Sequence, residues 1–170
     1  MSGLTANNSA RIDTPEGGHG VQIDDLAIVV DRRKEIARDF YSRSGMPEYK
    51  IDGHLAGIDF KKPVDVVELK KGTVLTQYQV PGSDQGNYYS LAIDRATPGS
   101  LGISPQAMER TSGLIVDKVP NFYIVDNPTE ALRSTAASIQ DTWSIPGRSI
   151  ATQGGATQFY IPNKTRILPK

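Results

Sequence analysis

One stretch of this chain carries helical periodicity, and almost everything after it comes in short β-branched or aromatic runs cut by glycine and proline. Leu26, Val30, Ala37, Phe40 and Tyr41 recur at helical spacing between Ile23 and Tyr41, with DRRKEIARD as the charged face. Gly45 and Pro47 mark the stop. Downstream, Val64 to Leu69 and Thr73 to Gln79 read as strands around the turn-like KKG, YYSLAI as a short strand, LIVDKVPNFYIV as further strand and GATQFYI as a last one. Pro120 demands an edge position or a break, because proline cannot donate to a ladder. SPQAMER reads as the opening of a short helix, with Ser104 as cap and Pro105 at the first position. EALRSTAASIQDTWSI alternates apolar and small residues only loosely, and NKTRILPK reads as a polar tail. One clear helix, room for two short ones, five or six strands and no regular strand and helix alternation predict an α+β fold with a mostly antiparallel sheet.

The 170 residues fit one domain. Residues 1–20, MSGLTANNSARIDTPEGGHG, are too polar and glycine-rich to offset their ordering entropy by burial, so they read as a linker and residues 21–170 as the domain. Lys plus Arg and Asp plus Glu both number 19, which removes the long-range field of a dedicated nucleic-acid binder. With no cysteine, neither a disulfide framework nor a Cys-based zinc site can form. The longest apolar run, Leu26 to Val30, falls far short of the roughly 20 residues that span a bilayer, so no membrane partner is expected.

Only two histidines exist, His19 in the linker and His54 in DGHLAG. A histidine-pair ribonuclease would have to recruit the linker residue, and His54 alone reads as a structural hydrogen-bonder more readily than as a base. No spacing suits a metal, and the GxSxG elbow, the phosphate loop and GxGxxG are all missing. What remains is polar but uncharged: Gln77, Tyr78, Gln79, Tyr88, Tyr89, Gln153 and Gln158 lie on or beside expected strands. Amides can orient a water or a sugar hydroxyl without charge. Arg133 could hold a phosphate, with Ser134 and Thr135 adding hydroxyl donors.

KGTVLTQYQVPGSDQGNYYS, then the TPG and LGI segment, ALRSTAASIQDTWSIPG and GGATQFYIP together resemble the polymorphic toxin type 46 domain, over roughly residues 32 to 162. More distantly the chain is similar to the tuberculosis necrotizing toxin group of NAD glycohydrolases. The resemblance implies an ADP-ribosyltransferase-like, or diphtheria-toxin-like, fold: two small antiparallel sheets with an N-terminal helix, clasping a bent NAD molecule. Carried over, the last-strand glutamine is Gln158 and the tyrosine of the glycine-x-tyrosine segment is Tyr88, while Gln77 stands where the group has an arginine. These three are the implied catalytic residues. With that arginine replaced, pyrophosphate binding falls to Arg95, Arg110 or Arg133.

Ser134, Trp143 and Phe159 complete the implied NAD-binding set, with Phe159 or Tyr160 and Trp143 stacking on a ring unless the tryptophan is core. Asp141 either stands in as a carboxylate or caps a turn. Gly154 and Gly155 would permit positive φ or close approach to the ligand. NAD+ or NADP+ enters as substrate, with no cofactor and no metal. The implied activity is an NAD(P)+ glycohydrolase toxin that depletes the dinucleotide in a competitor's cytoplasm as a secreted effector, held in check by a cognate immunity protein. Glutamine in place of the glutamate of classical ADP-ribosyltransferases favours water as acceptor. Transfer of ADP-ribose to protein or RNA, a ribonuclease, and a non-catalytic binding module are the alternatives.

Overall fold

The computed structural model describes residues 23–170. Helix α1 (Ile23–Arg43) and helix α2 (Glu48–Leu55) precede eleven strands, and the helix-stop signal at Gly45 and Pro47 falls between the two helices. The proposed linker, residues 1–20, lies outside the described residues. Strands β1 (Asp65–Leu69), β2 (Val74–Gln79), β3 (Tyr88–Leu91), β6 (Val119–Val125), β7 (Thr129–Thr135), β10 (Thr157–Tyr160) and β11 (Ile167–Pro169) form one sheet in the order β1–β7–β10–β3–β2–β6–β11. Every pairing in it is antiparallel. Two hairpins stand apart, β4 (Gln106–Met108) with β5 (Ile115–Asp117), and β8 (Ile139–Asp141) with β9 (Ile150–Thr152). The α+β class with a mostly antiparallel sheet is therefore observed.

Strand β3 joins the two halves of the main sheet and changes partner midway. Tyr88 and Tyr89 pair with Tyr160 and Phe159 of β10, whereas Ser90 and Leu91 pair with Thr76 and Leu75 of β2. Both ladders are two residues long, so the sheet opens on either side of the crossing. Facing residues in an antiparallel pair share a side of the sheet. Thr76, Ser90, Tyr88, Tyr160 and Gln158 consequently share one face, and Leu75, Gln77, Tyr89 and Phe159 the other.

Two apolar clusters fill the two faces. Ala37, Phe40 and Tyr41 of α1 and Ile51 of α2 pack with Ile58, Phe60, Val64, Leu132 and Tyr160. Leu75, Tyr89, Tyr123, Phe159, Ile161 and Ile167 anchor the second cluster. Each fully buried large side chain contributes about 1.5–3 kcal/mol. The charged face expected of α1 is not wholly outward: Arg33 is buried and donates to the Phe60 carbonyl at 2.9 Å. Arg38 ties the two helices through Glu48 (2.9 Å) and Asp52 (2.6 Å).

Three local readings are corrected. The segment SPQAMER is strand β4, not a helix: Ser104 is buried and its hydroxyl donates to the Gln106 carbonyl at 2.7 Å, closing a turn into the hairpin. The loosely patterned EALRST is β7, which pairs with both β1 and β10. The expected polar tail carries β11, whose Ile167 is buried in the second cluster. Pro120 does sit on an edge: β11 pairs β6 only at residues 123–125, so nothing on that side requires a proline N–H.

Candidate active site

A cavity of about 590 Å³ opens where β3 crosses between the two half-sheets. Gly53 and His54 of α2 and the following Gly57 form one wall, and Thr76 to Tyr78 of β2 with Tyr88 to Ser90 of β3 form the floor. Leu101 to Ile103, Ile139, Trp143 and Gln158 complete it. Among the described residues no Asp, Glu, Lys or Arg lines this space. Its polarity comes from amides, hydroxyls, phenols and one imidazole.

Gln158 is buried on β10, directly opposite Ser134 of β7. Its amide nitrogen donates to the Gly57 carbonyl and to Ser134 Oγ, both at 3.2 Å. A carbonyl can only accept, so the contact with Gly57 fixes the orientation of the amide. Both N–H groups are thereby engaged, and Oε1 is left as an acceptor with no protein partner among the described residues. Ser134 thus positions Gln158 and does not line the cavity.

Gln77 has a different role. It lies on the opposite face of β2 and its amide bridges the gap between β2 and β3, donating to the Tyr88 carbonyl at 2.7 Å and accepting from Gly86 N–H at 2.8 Å. Gln79 Nε2 adds a second donor to Gln77 Oε1 at 2.6 Å, and also reaches Tyr123 Oη at 2.6 Å. The side chain of Gln77 acts as a surrogate peptide group where the backbone ladder stops. Three of its hydrogen bonds thus brace β3, while the residue still lines the cavity.

Tyr88 is half-buried, and its hydroxyl lies 2.8 Å from Tyr41 Oη and 2.7 Å from His54 Nδ1. Its ring stacks on the His54 imidazole with centroids 5.7 Å apart. Burial, with Lys50's charge adding to it, pushes His54 below its usual 6.5, so the imidazole is neutral at neutral pH. Burial raises the Tyr88 phenol far above its ordinary value, and pushes Tyr41 up to about 12 despite the hydrogen bond to Tyr88. The Tyr88 hydroxyl can give its one proton to either His54 Nδ1 or Tyr41 Oη and accept from the other, the His54 tautomer setting the direction.

The arginines expected to hold a phosphate are elsewhere. Arg133 projects away from the cavity and pairs with Asp65 at 2.9 Å. Arg95, in the left-handed region at φ 49°, lines a separate depression with Thr97, Ser100 and Thr157. Arg110 is exposed in the turn between β4 and β5. Phe159 and Tyr160 are buried in the two apolar clusters, which removes them as stacking partners. Trp143 is not core: it is 67% exposed at the cavity rim.

Asp141 caps a turn, accepting from the backbone N–H of Trp143 (3.0 Å) and Ser144 (2.8 Å) and from Ser144 Oγ (2.6 Å). Burial opposes its charge, yet those bonds and Lys118 hold its carboxyl below the usual range. The expected positive φ is present at Gly154 (68°) and Gly155 (98°), but the close approach at Gly154 is to backbone and not to the cavity. A Cβ on Gly154 would lie 2.5 Å from the Ala136 and Ala137 carbonyl oxygens. Gly154 N–H also holds the Gly99 carbonyl at 3.0 Å, which fixes the loop carrying Leu101 to Ile103.

Two polar lining residues were not singled out from the sequence: Thr76 and Ser90. The available signal was one aliphatic hydroxyl in each strand run, Thr76 in VLTQY and Ser90 in YYSLA.

The family model described as bacterial toxin 46 matches residues 18–167. The chain belongs to the bacterial toxin 46 family. A curated relative of this family member, the NAD(P)(+) glycohydrolase toxin Tse6 of Pseudomonas aeruginosa, is 39% identical over 131 residues, which are 77% of this chain and 30% of that protein. The chain therefore spans less than a third of that relative's length. The solved structure of Tse6 in complex with Tsi6 superposes with a TM-score of 0.73 at 35% identity, covering 84% of this chain and 97% of that one. Rhs1-CT in complex with its cognate immunity protein RhsI1 is more distant, at 22% identity and a TM-score of 0.48 over 79% of this chain and 91% of that one.

Proposed function

We propose that this bacterial toxin 46 domain is an NAD(P)+ glycohydrolase. The observation that carries the reading is the carboxylate-free cavity in which Gln158 presents an unclaimed carbonyl oxygen, in a chain 39% identical to a glycohydrolase toxin. The glycosidic bond between ribose C1′ and the nicotinamide nitrogen breaks, and its electron pair neutralises the pyridinium. Water attacks the oxocarbenium-like sugar at C1′ and loses a proton, giving nicotinamide, ADP-ribose and H+. The leaving group departs neutral, so no general acid is needed for it; the site must hold the sugar and tolerate positive charge.

Gln158 Oε1 accepts from a ribose hydroxyl and turns the negative end of its amide dipole toward the developing cation. The absence of Lys and Arg among the lining residues suits a cationic nicotinamide ring, and the faces of Tyr78, Tyr88 and Trp143 offer it aromatic surface. The Gly57 and Ser134 contacts hold Gln158 before substrate arrives, so no reorganisation is required at the moment of reaction. Tyr88, fixed by Gln77, Tyr41 and His54, shapes the floor.

At the finer level the fold is read as ADP-ribosyltransferase-like, β3 being the splint between two half-sheets. The biological role read with this activity is that of an interbacterial effector that lowers dinucleotide levels in a recipient's cytoplasm, neutralised in its producer by a cognate immunity protein. Incubating the domain with NAD+ or NADP+ and no macromolecular acceptor tests the activity. Equal yields of nicotinamide and the ADP-ribose product are expected. Folded protein that releases no nicotinamide would overturn the reading, and label retained on an added protein or RNA would favour transfer instead.

A further inference from the structure

Ser90 occupies the point where β3 changes partner. Its backbone pairs with Thr76, while the preceding Tyr89 and Tyr88 pair with Phe159 and Tyr160. One further step along the β10 ladder would set Ser90 opposite Gln158, but the strands have already parted. Thr76, Ser90, Gln158 and Ser134 therefore form a polar row across the middle of one face, and all four are buried (8%, 1%, 8% and 3% exposed).

Within this row the Ser90 hydroxyl is the anomaly. It lines the cavity, is 1% exposed, and its Oγ has no hydrogen-bond partner among the described residues. Buried hydroxyls are almost always satisfied, because desolvation without a compensating bond is unfavourable. The chain satisfies other polar side chains nearby: Gln77, Gln79, Asn121 and Tyr123 form a connected network on the opposite face. A fully buried donor left at the cavity wall, on the same face as the free acceptor of Gln158, points to a partner that arrives with the ligand.

We propose that Ser90 is a substrate-contacting residue that, with Gln158, reads the vicinal diol of the nicotinamide ribose. Gln158 Oε1 can only accept, and Ser90 Oγ can donate. A cis-diol matches that pair, since one hydroxyl gives its proton to Gln158 while its neighbour's oxygen receives the proton of Ser90. The inference rests on the glycohydrolase reading and adds to it the group that fixes the sugar.

The test is Ser90→Ala, measured for NAD+ affinity, KM and thermal unfolding beside wild type, with NAD+ analogues lacking the 2′- or 3′-hydroxyl of the nicotinamide ribose. Removing an unpartnered buried hydroxyl should leave the unfolding temperature unchanged or raised, while Kd and KM rise roughly tenfold. One deoxy analogue should lose affinity in wild type and lose nothing further in the variant. Affinity within twofold of wild type, or a lowered unfolding temperature with unchanged affinity, overturns the proposal. A wild type that binds NAD+ without cleaving it removes the glycohydrolase reading and leaves the Kd comparison to decide on Ser90. A wild type that neither binds nor cleaves overturns both.

Discussion

Gln77 and Gln158 both border the cavity from neighbouring parts of one sheet, and both are buried, yet their amides are in opposite conditions. Gln77 accepts from Gly86 and Gln79 and donates to Tyr88, so it closes a seam that the backbone leaves open. Gln158 donates twice, to Gly57 and Ser134, and keeps its carbonyl oxygen free. The amide whose oxygen is fully claimed stabilises architecture, and the one whose oxygen is free is available to a ligand. Residue type and strand position do not separate these roles; the state of each hydrogen-bonding atom does.

The largest expected effect is on chemistry at the free amide. Gln158→Ala should lower nicotinamide release by about 100-fold, the order found when a preorganised polar contact to a developing charge is removed. Its unfolding temperature should fall only modestly, because Ser134 and Gly57 lose one donor each. Gln77→Ala should divide the other way. It strands Gly86 N–H, the Tyr88 carbonyl and one Gln79 donor, and should cost about 2–3 kcal/mol in denaturant unfolding. Any loss of turnover there should track the displacement of β3. A Gln77→Ala protein as stable as wild type would dissolve the distinction.

Smaller effects sharpen the contrast from the neighbouring network. Tyr88→Phe removes the hydroxyl shared by Tyr41 and His54, and should destabilise the domain by about 1 kcal/mol in the same assay. His54 supplies the pH signature. Because its folded pKa lies below the usual 6.5, its contribution to stability is fully present above pH 6.5. As pH falls below that value the unfolded chain takes up the proton first, and stability drops until the folded pKa is passed. Denaturation midpoints followed downward from pH 7.5 should show this loss in wild type, and His54→Asn should flatten it. Arg133→Ala should leave turnover unaltered, since the guanidinium does not line the cavity; because it takes the cation from the buried Asp65 carboxylate, it should instead lower stability by about 1–3 kcal/mol.

Much of the architecture was legible because its signals are local. The α1 periodicity, the β-branched run of β1 and the turn residues before β3 each match the element they form. Strand β7 was hidden because TEALRST owes its place to two neighbours in the sheet and not to β-branched content. SPQAMER satisfied the rules of a helix start, yet pairing with Ile115–Asp117 prevailed over them. At the site, Gln158 and Tyr88 could be singled out, and Trp143 reached the cavity. Arg133 could not be excluded from sequence because its partner Asp65 is 68 residues away. Ser90 stayed unseen because being unpartnered is a tertiary property that no spacing encodes.

Side-chain amide NMR during titration with NAD+ at low temperature, or with the product ADP-ribose, asks most directly which glutamine the ligand touches. The account predicts that the Gln158 NH2 resonances shift as its carbonyl gains a donor, while those of Gln77 stay in place. Movement of Gln77 with Gln158 unmoved, in a protein that demonstrably binds the dinucleotide, would contradict it.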